Sequence, residues 1–414
     1  FFMTDNSEIE ERIRDLCHRL HRLNLSYYCA SVEVKDEFYD ELKKKLQELE
    51  REHPQLRRQD SPLIRISREV HSPFPGRRHR NPMLSLGNLY SEEEVLEWDA
   101  SLRKLLGGRV PGYVSELKID GVALSIIYLQ GRLEVGVTRG DGMQGEDITQ
   151  NLKTLSCLPL ELDEPLDLET RGEVFLSKKK FSRLNERRIR SQEPLFKNPR
   201  NAAAGTLRML DSAEVRRRNL NLFVYALAEG PLEKRHSGNL ERLKGLGLPV
   251  NPETKRCGRI EKAVEYYRYW ERNKEELPYE IDGVVIKVDE LELQQKLGFT
   301  AKSPRWAAAL KFSAERAFSI LRGVEIGIGR SGVLTPVALV DPVELKGTQV
   351  SRATLHNYEQ VTRLNLHLGD KVVLEKGGDI IPKIAEVDAK GRDACAWLVE
   401  APLNCPVCDA PVRK

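Results

Sequence analysis

The feature that most constrains the fold is a segment with the pattern of paired β-strands, residues 115–142, with the sequence SELKIDGVALSIIYLQGRLEVGVTRGDG. Apolar side chains recur at every second position over 122–128 and again over 133–137. This period of two is typical of strands that place one face on a core. Because Gln130 and Gly131 offer a tight turn between the two runs, the pattern predicts a β-hairpin.

The strand before this hairpin carries charge on one face. Glu116, Lys118 and Asp120 occupy alternate positions, with Leu117 and Ile119 between them. Successive side chains of a strand point to opposite sides, so the three charged groups share a face while Leu117 and Ile119 can face a core. Two interpretations are open at this point. The charged face is either solvated, with charges of alternating sign, or it lines a pocket in which Lys118 reacts.

The rest of the chain predicts an α+β protein of several domains. Apolar residues at helical spacing over 8–25 and 36–53 predict a small helical unit, in which Asp36 would be an N-cap. Further strands and helices are predicted after the hairpin, with strands at 168–176, 220–228 and 281–289 and helices at 203–218 and 259–275. Short glycine-rich strands beyond them predict a small β-barrel of the oligonucleotide-binding type. The expected domains are a helical module at 3–72, an α+β domain at 73–321, the barrel at 322–400 and the start of another module at 401–414.

Composition excludes several classes of protein. Charged residues make up 31% of the chain and hydrophobic residues 40%, and no apolar run is long enough to span a bilayer, which indicates a soluble protein. The seven cysteines lack the spacing of a disulfide framework and indicate reduced thiols in a cytoplasm. The net charge of +3 is small, but basic residues cluster at 57–80, 178–190 and 216–218. Such clusters suit a polyanion, although a solvated helix face explains any one of them equally well.

Two lysines stand in strands that otherwise look fully buried. Lys287 lies within YEIDGVVIKVDE and Lys311 within RWAAALKFS. Lysine is almost never fully buried without a partner, although a single one can extend its amine to the surface at a strand end. Together with Lys118, the two lysines are better explained by an anionic ligand such as a phosphate.

Two further segments place charged residues where they could contact a ligand. NPRNAAAGTLRML places Arg200 and Arg208 eight residues apart, near one face of a helix whose small residues let a ligand approach closely. TRGEVF contributes Glu173, with Arg171 on the same strand face. The alternative is an ordinary alanine-rich helix with exposed arginines.

These segments resemble those of bacterial NAD-dependent DNA ligases, in the same order along the chain and with nearly the same residues. The resemblance rests on KIDG, TRGDG, RGEVF, NPRNAAAGTLR, IDGVVIKV and WAAALKF, with PMLSLGN before them and GRSGVLTPVA and ATLHN in the barrel. It covers nearly the whole chain and implies a catalytic core without its C-terminal domains. The implied α+β domain is a nucleotidyltransferase related to the ATP-grasp fold, followed by an OB-fold β-barrel.

The resemblance implies that Lys118 attacks the α-phosphorus of NAD, releases nicotinamide mononucleotide and forms a lysyl-adenylate. The AMP then passes to the 5′-phosphate at a nick in duplex DNA, where the 3′-hydroxyl displaces it. An unperturbed lysine has a pKa of about 10.4, so nearby cations, burial or a metal must favour the neutral amine. Lys287 and Lys311 are the expected cations, and Asp120 and Asp282 the expected carboxylates.

The family also implies contacts for each part of NAD. Glu116 would read the adenine with the Ser85-Leu86 backbone, Arg139 and Glu173 would contact ribose and phosphate, and Gly121 would let the backbone pass close to the nucleotide. The helical module would hold the nicotinamide mononucleotide half through Tyr27, Tyr28, Asp36, Tyr39 and Asp40. In that context a binding role for Asp36 is favoured over an N-cap. Tyr28 stands where some members have His, the loop after it is slightly shorter than usual, and Lys274 replaces a usual Arg.

The remaining implied groups concern DNA and metals. Arg200, Arg208 and Arg330 match positions that contact DNA, and phosphoryl transfer implies Mg²⁺. Cys405 and Cys408 form half of a four-cysteine zinc site, so Zn²⁺ is expected only in a longer chain. The expected protein is a cytoplasmic, nucleoid-associated monomer that binds nicked duplex DNA and no membrane.

Two rival functions can be told apart by experiment. An ATP- or GTP-using ligase or RNA-capping enzyme shares the Lys-x-Asp-Gly core, but the helical module argues against it. A DNA-binding protein without catalysis would use the basic clusters alone, yet a grip on backbone phosphates does not require lysines inside apolar strands.

Overall fold

The protein is described here from a computed structural model. The described residues are 9–17, 19–20, 36–56, 58, 61, 74–313, 316–328, 333–345, 348–377, 381–392 and 396–412. The chain divides into two compact units, Phe1–Phe312 and Ser313–Lys414. Among the described helices, none is both long enough and apolar enough to cross a membrane.

The first unit is α+β throughout its described part. Its helices are α1 (residues 9–17 and 19–20), α2 (Asp36–Glu52), α3 (Glu92–Leu105), α4 (Thr149–Leu152), α5 (Lys178–Arg190), α6 (Pro199–Leu207), α7 (Ser212–Arg218), α8 (His236–Gly245), α9 (Ile260–Asn273) and α10 (Leu291–Leu297), with 3-10 turns at Pro54–Leu56 and Lys274–Glu276. Its strands are β1 (Gly76–Arg78), β2 (Gly87–Leu89), β3 (Tyr113–Ile119), β4 (Val122–Leu129), β5 (Arg132–Thr138), β6 (Gln144–Glu146), β7 (Leu168–Phe175), β8 (Asn221–Glu229), β9 (Lys255–Cys257), β10 (Ile281–Val288) and β11 (Ala307–Lys311).

The N-terminal helices pack through the apolar residues that predicted them. Ile13 and Leu20 of α1 and Leu42 and Leu46 of α2 are buried in one cluster. The helix α2 begins at Asp36 itself. Asp36 is therefore the first helical residue, rather than the N-cap that the residue pattern alone predicted.

Two sheets form the body of the first unit. One has the strand order β2-β11-β10-β3-β9, and the other has the order β5-β4-β7-β8. Strand β3 belongs to the first sheet and β4 to the second, so the chain changes sheets at Asp120-Gly121, between these two strands. The end of β3, the strand that carries Glu116 and Lys118, therefore lies beside the start of β4 in the second sheet.

The predicted hairpin is present, and its turn has the expected geometry. Strands β4 and β5 pair antiparallel, with Leu129 opposite Arg132. Gln130 and Gly131 both adopt positive φ angles, 50° and 75°. Two successive residues with positive φ match the right-handed twist of the strands that they join.

The prediction of one continuous helix at 203–218 is wrong. The structure has two shorter helices there, α6 and α7. Asp211 caps the second helix by accepting a hydrogen bond from the backbone nitrogen of Ala213. A capping carboxylate starts a new helix because it satisfies backbone donors that a continuous helix would pair internally.

The second unit is a closed barrel with the strand order β12-β13-β14-β16-β15. The strands are β12 (Arg316–Ile328), β13 (Leu334–Leu345), β14 (Thr348–Thr354), β15 (Lys371–Gly377) and β16 (Ile381–Asp388), and helix α11 (Tyr358–Leu364) lies between β14 and β15. Its core includes Leu321, Ala338 and Leu374. The first barrel strand begins at Arg316, six residues before the start of the barrel domain drawn from the sequence.

Candidate active site

A cavity of about 650 Å³ in the first unit collects most of the residues singled out by the sequence. Strands β3, β10 and β11 of one sheet and β4, β7 and β8 of the other contribute to its lining. The predicted site residues on its wall are Ser85, Leu86, Glu116, Lys118, Gly121, Arg139, Glu173, Arg200, Arg208, Lys287 and Lys311. The charged strand therefore faces a pocket rather than bulk water.

Lys118 and Lys311 share one carboxylate. The Nζ atom of Lys118 donates to Oδ2 of Asp282 at 3.0 Å, and Nζ of Lys311 donates to the same oxygen. The Asp282 side chain is 9% exposed, and the two lysine side chains are 24% and 23% exposed. A nearly buried carboxylate thus holds two amines that the cavity leaves accessible.

The backbone of β10 makes this arrangement possible. The pairing register of β10 with β3 shifts between Ile281 and Gly283, so two residues of β10 oppose one of β3. Such a bulge redirects a side chain, and Asp282 thereby reaches the lysines. Gly283 is opposite both Lys118 and Lys311, and a Cβ atom on it would lie 2.3 Å from the carbonyl oxygen of Leu310.

The turn after β3 brings a second carboxylate and an arginine together. Asp120 is 7% exposed, and its Oδ1 accepts a hydrogen bond from Nη1 of Arg200 at 3.0 Å. A Cβ atom on the next residue, Gly121, would lie 2.3 Å from the carbonyl oxygen of Val174 and 2.9 Å from Cγ of Glu173. Glycine is therefore required where the chain changes sheets, because the backbone of β7 leaves no room for a side chain.

Among the described residues, no side chain or backbone group forms a hydrogen bond with the carboxyl group of Glu173. Burial raises its pKa to about 7, although the charges of Lys118 and Arg200 act in the opposite direction. Within the described part of the chain no hydrogen bond to its carboxylate contributes to this value. Near neutral pH, Glu173 therefore changes between a neutral acid and a carboxylate inside the cavity.

At another part of the cavity, Lys287 is bonded to Glu116. Nζ of Lys287 lies 2.8 Å and 2.9 Å from the two carboxylate oxygens of Glu116, and it also donates to the carbonyl oxygen of Tyr225 at 2.9 Å. Glu116 and Lys287 are 5% and 6% exposed. Burial alone would raise the pKa of Glu116, but the charge of Lys287 and the hydrogen bonds to the carboxylate outweigh burial and lower it.

Comparison with known proteins identifies the family. A family model described as the NAD-dependent DNA ligase adenylation domain matches residues 71–315. The chain belongs to the NAD-dependent DNA ligase family. The model of the family's OB-fold domain matches 318–396, and that of the DNA ligase-like N-terminal NAD⁺-binding domain matches 6–67. The expected fold class is thereby confirmed, and the closed barrel of the second unit is the OB fold.

Curated relatives are similar along nearly the whole chain. Proteins named DNA ligase from Desulforamulus reducens, Bacillus cytotoxicus and Thermotoga neapolitana are each 44% identical, over 99%, 97% and 98% of this chain. The aligned regions cover 62%, 60% and 59% of those relatives. The chain therefore spans about 60% of the length of the curated ligases that it matches.

Sequence reasoning missed His236, a buried residue that contacts Glu116 and Lys287. Its Nε2 lies 2.6 Å from Oε1 of Glu116 and 3.2 Å from Nζ of Lys287, and the residue is 5% exposed. Burial and the charge of Lys287 lower the pKa of His236 below its ordinary value, against the opposing effect of Glu116, and so favour the neutral imidazole near pH 7. No local pattern could have revealed this residue, because Glu116 precedes it by 120 positions.

Several predicted site residues lie outside the part of the chain that the structure describes. Tyr27, Tyr28 and Arg330 lie outside the described residues. Asp36, Tyr39 and Asp40 lie in the first turns of α2, and their side chains are outside the described part. Arg208 lines the cavity, where its Nε donates to Oε2 of Glu146 at 2.6 Å. The DNA-binding roles of the three arginines remain predictions.

The described residues contain no group of three or more His, Cys, Asp or Glu side chains arranged to hold a metal. Cys405 and Cys408 are free thiols, and hydrogen bonds from the backbone of Val407 and Cys408 lower the pKa of Cys405. Two thiolates cannot enclose a structural zinc ion, so the described residues alone do not fit Zn²⁺. A Mg²⁺ ion needs fewer protein ligands, because it is usually bound by one or two carboxylates and substrate phosphates.

Proposed function

We propose that this chain transfers the AMP of NAD to Lys118 and from there to the 5′-phosphate of nicked duplex DNA, where attack by the 3′-hydroxyl seals the nick. The observation that carries the proposal is the pair of accessible amines, Lys118 and Lys311, on the buried carboxylate of Asp282 in a large cavity. Membership of the NAD-dependent DNA ligase family and the match to an N-terminal NAD⁺-binding domain support NAD as the nucleotide donor.

In the first step Nζ of Lys118 forms a bond to the α-phosphorus of NAD. The bond from that phosphorus to the bridging oxygen breaks, and nicotinamide mononucleotide leaves with its phosphate. Nζ must lose two protons on the way from ammonium to phosphoramidate. The first passes to Asp282, which already accepts a hydrogen bond from this amine, and the second leaves the phosphorus-bonded nitrogen with the departing phosphate or to water. Lys311, on the same carboxylate, stabilises the charge that develops on the transferring phosphate.

The other cavity residues provide binding contacts in this proposal. Glu116 recognises the adenine edge, next to the backbone of Ser85 and Leu86. Lys287, which the resemblance implied as a cation for Lys118 and the phosphate, is bonded to Glu116 instead, so we assign it to adenine recognition with that residue. Arg139 and Glu173 contact ribose and phosphate, while the helical module holds the nicotinamide mononucleotide half. Arg200 and Arg208, which line the cavity, and Arg330 contact the DNA backbone.

Mg²⁺ is part of the proposal as an ion that enters with the phosphates. Glu173 would contribute a ligand, because it lines the cavity and its carboxylate has no hydrogen-bond partner among the described residues. When bound, Mg²⁺ would offset the negative charge of the reacting phosphates. The protein is proposed to act as a cytoplasmic, nucleoid-associated monomer on nicked DNA.

Intact-mass spectrometry tests the nucleophile and the donor together. The purified chain is incubated with Mg²⁺ and either NAD or ATP, without DNA. We expect a gain of one AMP from NAD alone, its absence in Lys118→Ala, and its retention in Lys104→Ala, which removes an exposed lysine of α3. An adduct from ATP alone would identify an ATP-dependent enzyme, and an adduct that survives in Lys118→Ala would refute the assigned nucleophile.

Nick sealing is tested separately on a duplex with one labelled 5′-phosphate. The adenylated wild-type chain should join the nick without added NAD, because the AMP is already bonded to the protein. Salt-sensitive DNA binding without adduct or joining would instead favour a non-catalytic DNA-binding protein.

A further inference from the structure

In the adenylation domain, the buried side chains of His236 and Lys287 both contact the carboxylate of Glu116, which is also buried. Oε1 of Glu116 lies 2.6 Å from Nε2 of His236 and 2.8 Å from Nζ of Lys287, and Oε2 accepts from the same amine at 2.9 Å. All three residues are at most 6% exposed. The lysine and the carboxylate neutralise each other, so the pair is complete in charge without the histidine. The imidazole must therefore contribute something other than charge.

The ionisation of His236 determines what it contributes. Burial and the adjacent ammonium of Lys287 disfavour a second cation, so the ring is neutral. A neutral imidazole carries one N–H, and the 2.6 Å contact with a carboxylate oxygen assigns that proton to Nε2. In this tautomer His236 donates a hydrogen bond to Oε1 of Glu116. Because the ring carries no charge, Lys287 remains the cationic partner of the Glu116 carboxylate.

The position of His236 is itself fixed by the end of β10. Its backbone nitrogen donates to the carbonyl oxygen of Asp289 at 2.7 Å. The next residue, Ser237, donates from its backbone nitrogen and its hydroxyl to the two carboxylate oxygens of Asp289, at 2.8 Å and 3.1 Å. Because Asp289 lies two residues after Lys287, the first turn of α8 is tied to the strand that carries the lysine.

We infer that His236 is a positioning residue for recognition of the nucleotide base. This inference rests on the proposed function, in which Glu116 and Lys287 bind adenine. His236 and Lys287 both contact Oε1, so His236 holds the carboxylate in one orientation. Oε2 has Lys287 as its donor and keeps a lone pair for a further donor beside that ammonium. Adenine presents the matching groups, an amino donor next to the N1 acceptor.

The same arrangement rejects hypoxanthine. In hypoxanthine the amino group is replaced by a carbonyl oxygen, and N1 carries a hydrogen. An oxygen would then face the Glu116 carboxylate, and an N–H would face the Lys287 ammonium. Buried polar groups left unpaired in this way are costly, so a fixed carboxylate discriminates strongly, whereas one free to rotate can turn away from the mismatch.

The test compares NAD with nicotinamide hypoxanthine dinucleotide in single-turnover formation of the Lys118 adduct, measured as released nicotinamide mononucleotide. His236→Leu keeps the volume and removes the donor, and His236→Gln keeps an N–H donor. For His236→Leu we expect about a tenfold loss of preference for NAD and about a tenfold higher half-saturating NAD concentration, with a maximal rate within about threefold of wild type. His236→Gln should recover most of the preference.

The controls separate this inference from the proposed function. His367→Leu, in the barrel, should match wild type. If wild type forms no adduct with NAD, both proposals are overturned. If wild type reacts and His236→Leu keeps the base preference within about twofold, only the role of His236 is overturned. Equal loss of preference in His236→Gln and His236→Leu would also overturn it, since the donor would then be irrelevant.

Discussion

The ionisation of Glu173 gives a sharp test of the cavity's electrostatics. The structure places this carboxyl group where burial raises its pKa to about 7 from an ordinary value of 4.5. A group whose pKa is raised by folding stabilises the folded state fully below its unfolded pKa, and that contribution is lost as the pH rises through the folded pKa. Wild type should therefore lose stability with rising pH through this group, and Glu173→Gln should not.

The size of the effect follows from the two pKa values. Their difference corresponds to about 3 kcal/mol over the full titration, of which about 2–3 kcal/mol falls between about pH 5 and pH 8. The free energy of unfolding of wild type, relative to Glu173→Gln, should decrease by that amount over this range. Comparing the two proteins at each pH cancels the other titrating groups that they share.

Urea unfolding followed by tryptophan fluorescence measures this difference. Trp98, Trp270 and Trp306 lie in the first unit and Trp397 in the second, where it is 79% exposed. Trp397→Phe as a common background therefore confines the signal to the unit that contains the cavity. Each protein is unfolded at several pH values, and unfolding midpoints and slopes are compared.

The matched control for this measurement is Glu186→Gln, which alters an exposed carboxyl on α5. Its stability relative to wild type should not vary with pH. A difference between wild type and Glu173→Gln that is constant with pH would refute the raised pKa. A difference that grows in favour of wild type at high pH would show that Lys118 and Arg200 outweigh burial.

Three further predictions address the packing and the chemistry. Gly121→Ala should lower the stability of the first unit by about 1–3 kcal/mol, because its Cβ would meet the carbonyl oxygen of Val174; an unchanged thermal midpoint would contradict that contact. Asp282→Asn should slow adduct formation from NAD by at least about 100-fold, since the proton acceptor is lost; a wild-type rate in a rapid-quench assay would exclude that role. Tyr128→Phe should cost about 1–2 kcal/mol in urea unfolding, because it removes a buried hydrogen bond to the carbonyl oxygen of Pro159, while adduct formation is unaffected.

The fold was predictable where local pattern and tertiary structure agree. The hairpin of β4 and β5 follows from alternating apolar residues and from a turn that tolerates positive φ. The prediction of one helix at 203–218 missed the break between α6 and α7, although Asp211 is a good capping residue. The capping carboxylate ends up deciding the structure there, because it satisfies backbone donors at the start of a new helix.

The chemistry of the site was predictable only in part, because its parts come from distant strands. Lysines in apolar strands indicated an anionic site from sequence alone. The alternation of β10, however, would place Asp282 and Gly283 on opposite faces, and only the bulge brings the carboxylate to both amines. His236 gave no signal, since its function depends on a contact with Glu116 that exists only in the folded chain.

The shared carboxylate of Asp282 has a consequence for when Lys118 can react. Two amines on one buried carboxylate leave the cluster of Lys118, Lys311 and Asp282 with one excess positive charge if both are protonated. Under the proposed function, the diphosphate of NAD would offer Lys311 a second anionic partner and would draw it away from Asp282. Asp282 would then have fewer donors on its oxygens and would be a better acceptor for the proton of Lys118. In the proposed function, binding of NAD would therefore favour loss of the proton from Lys118, which would couple activation of the amine to the presence of the phosphorus that it attacks.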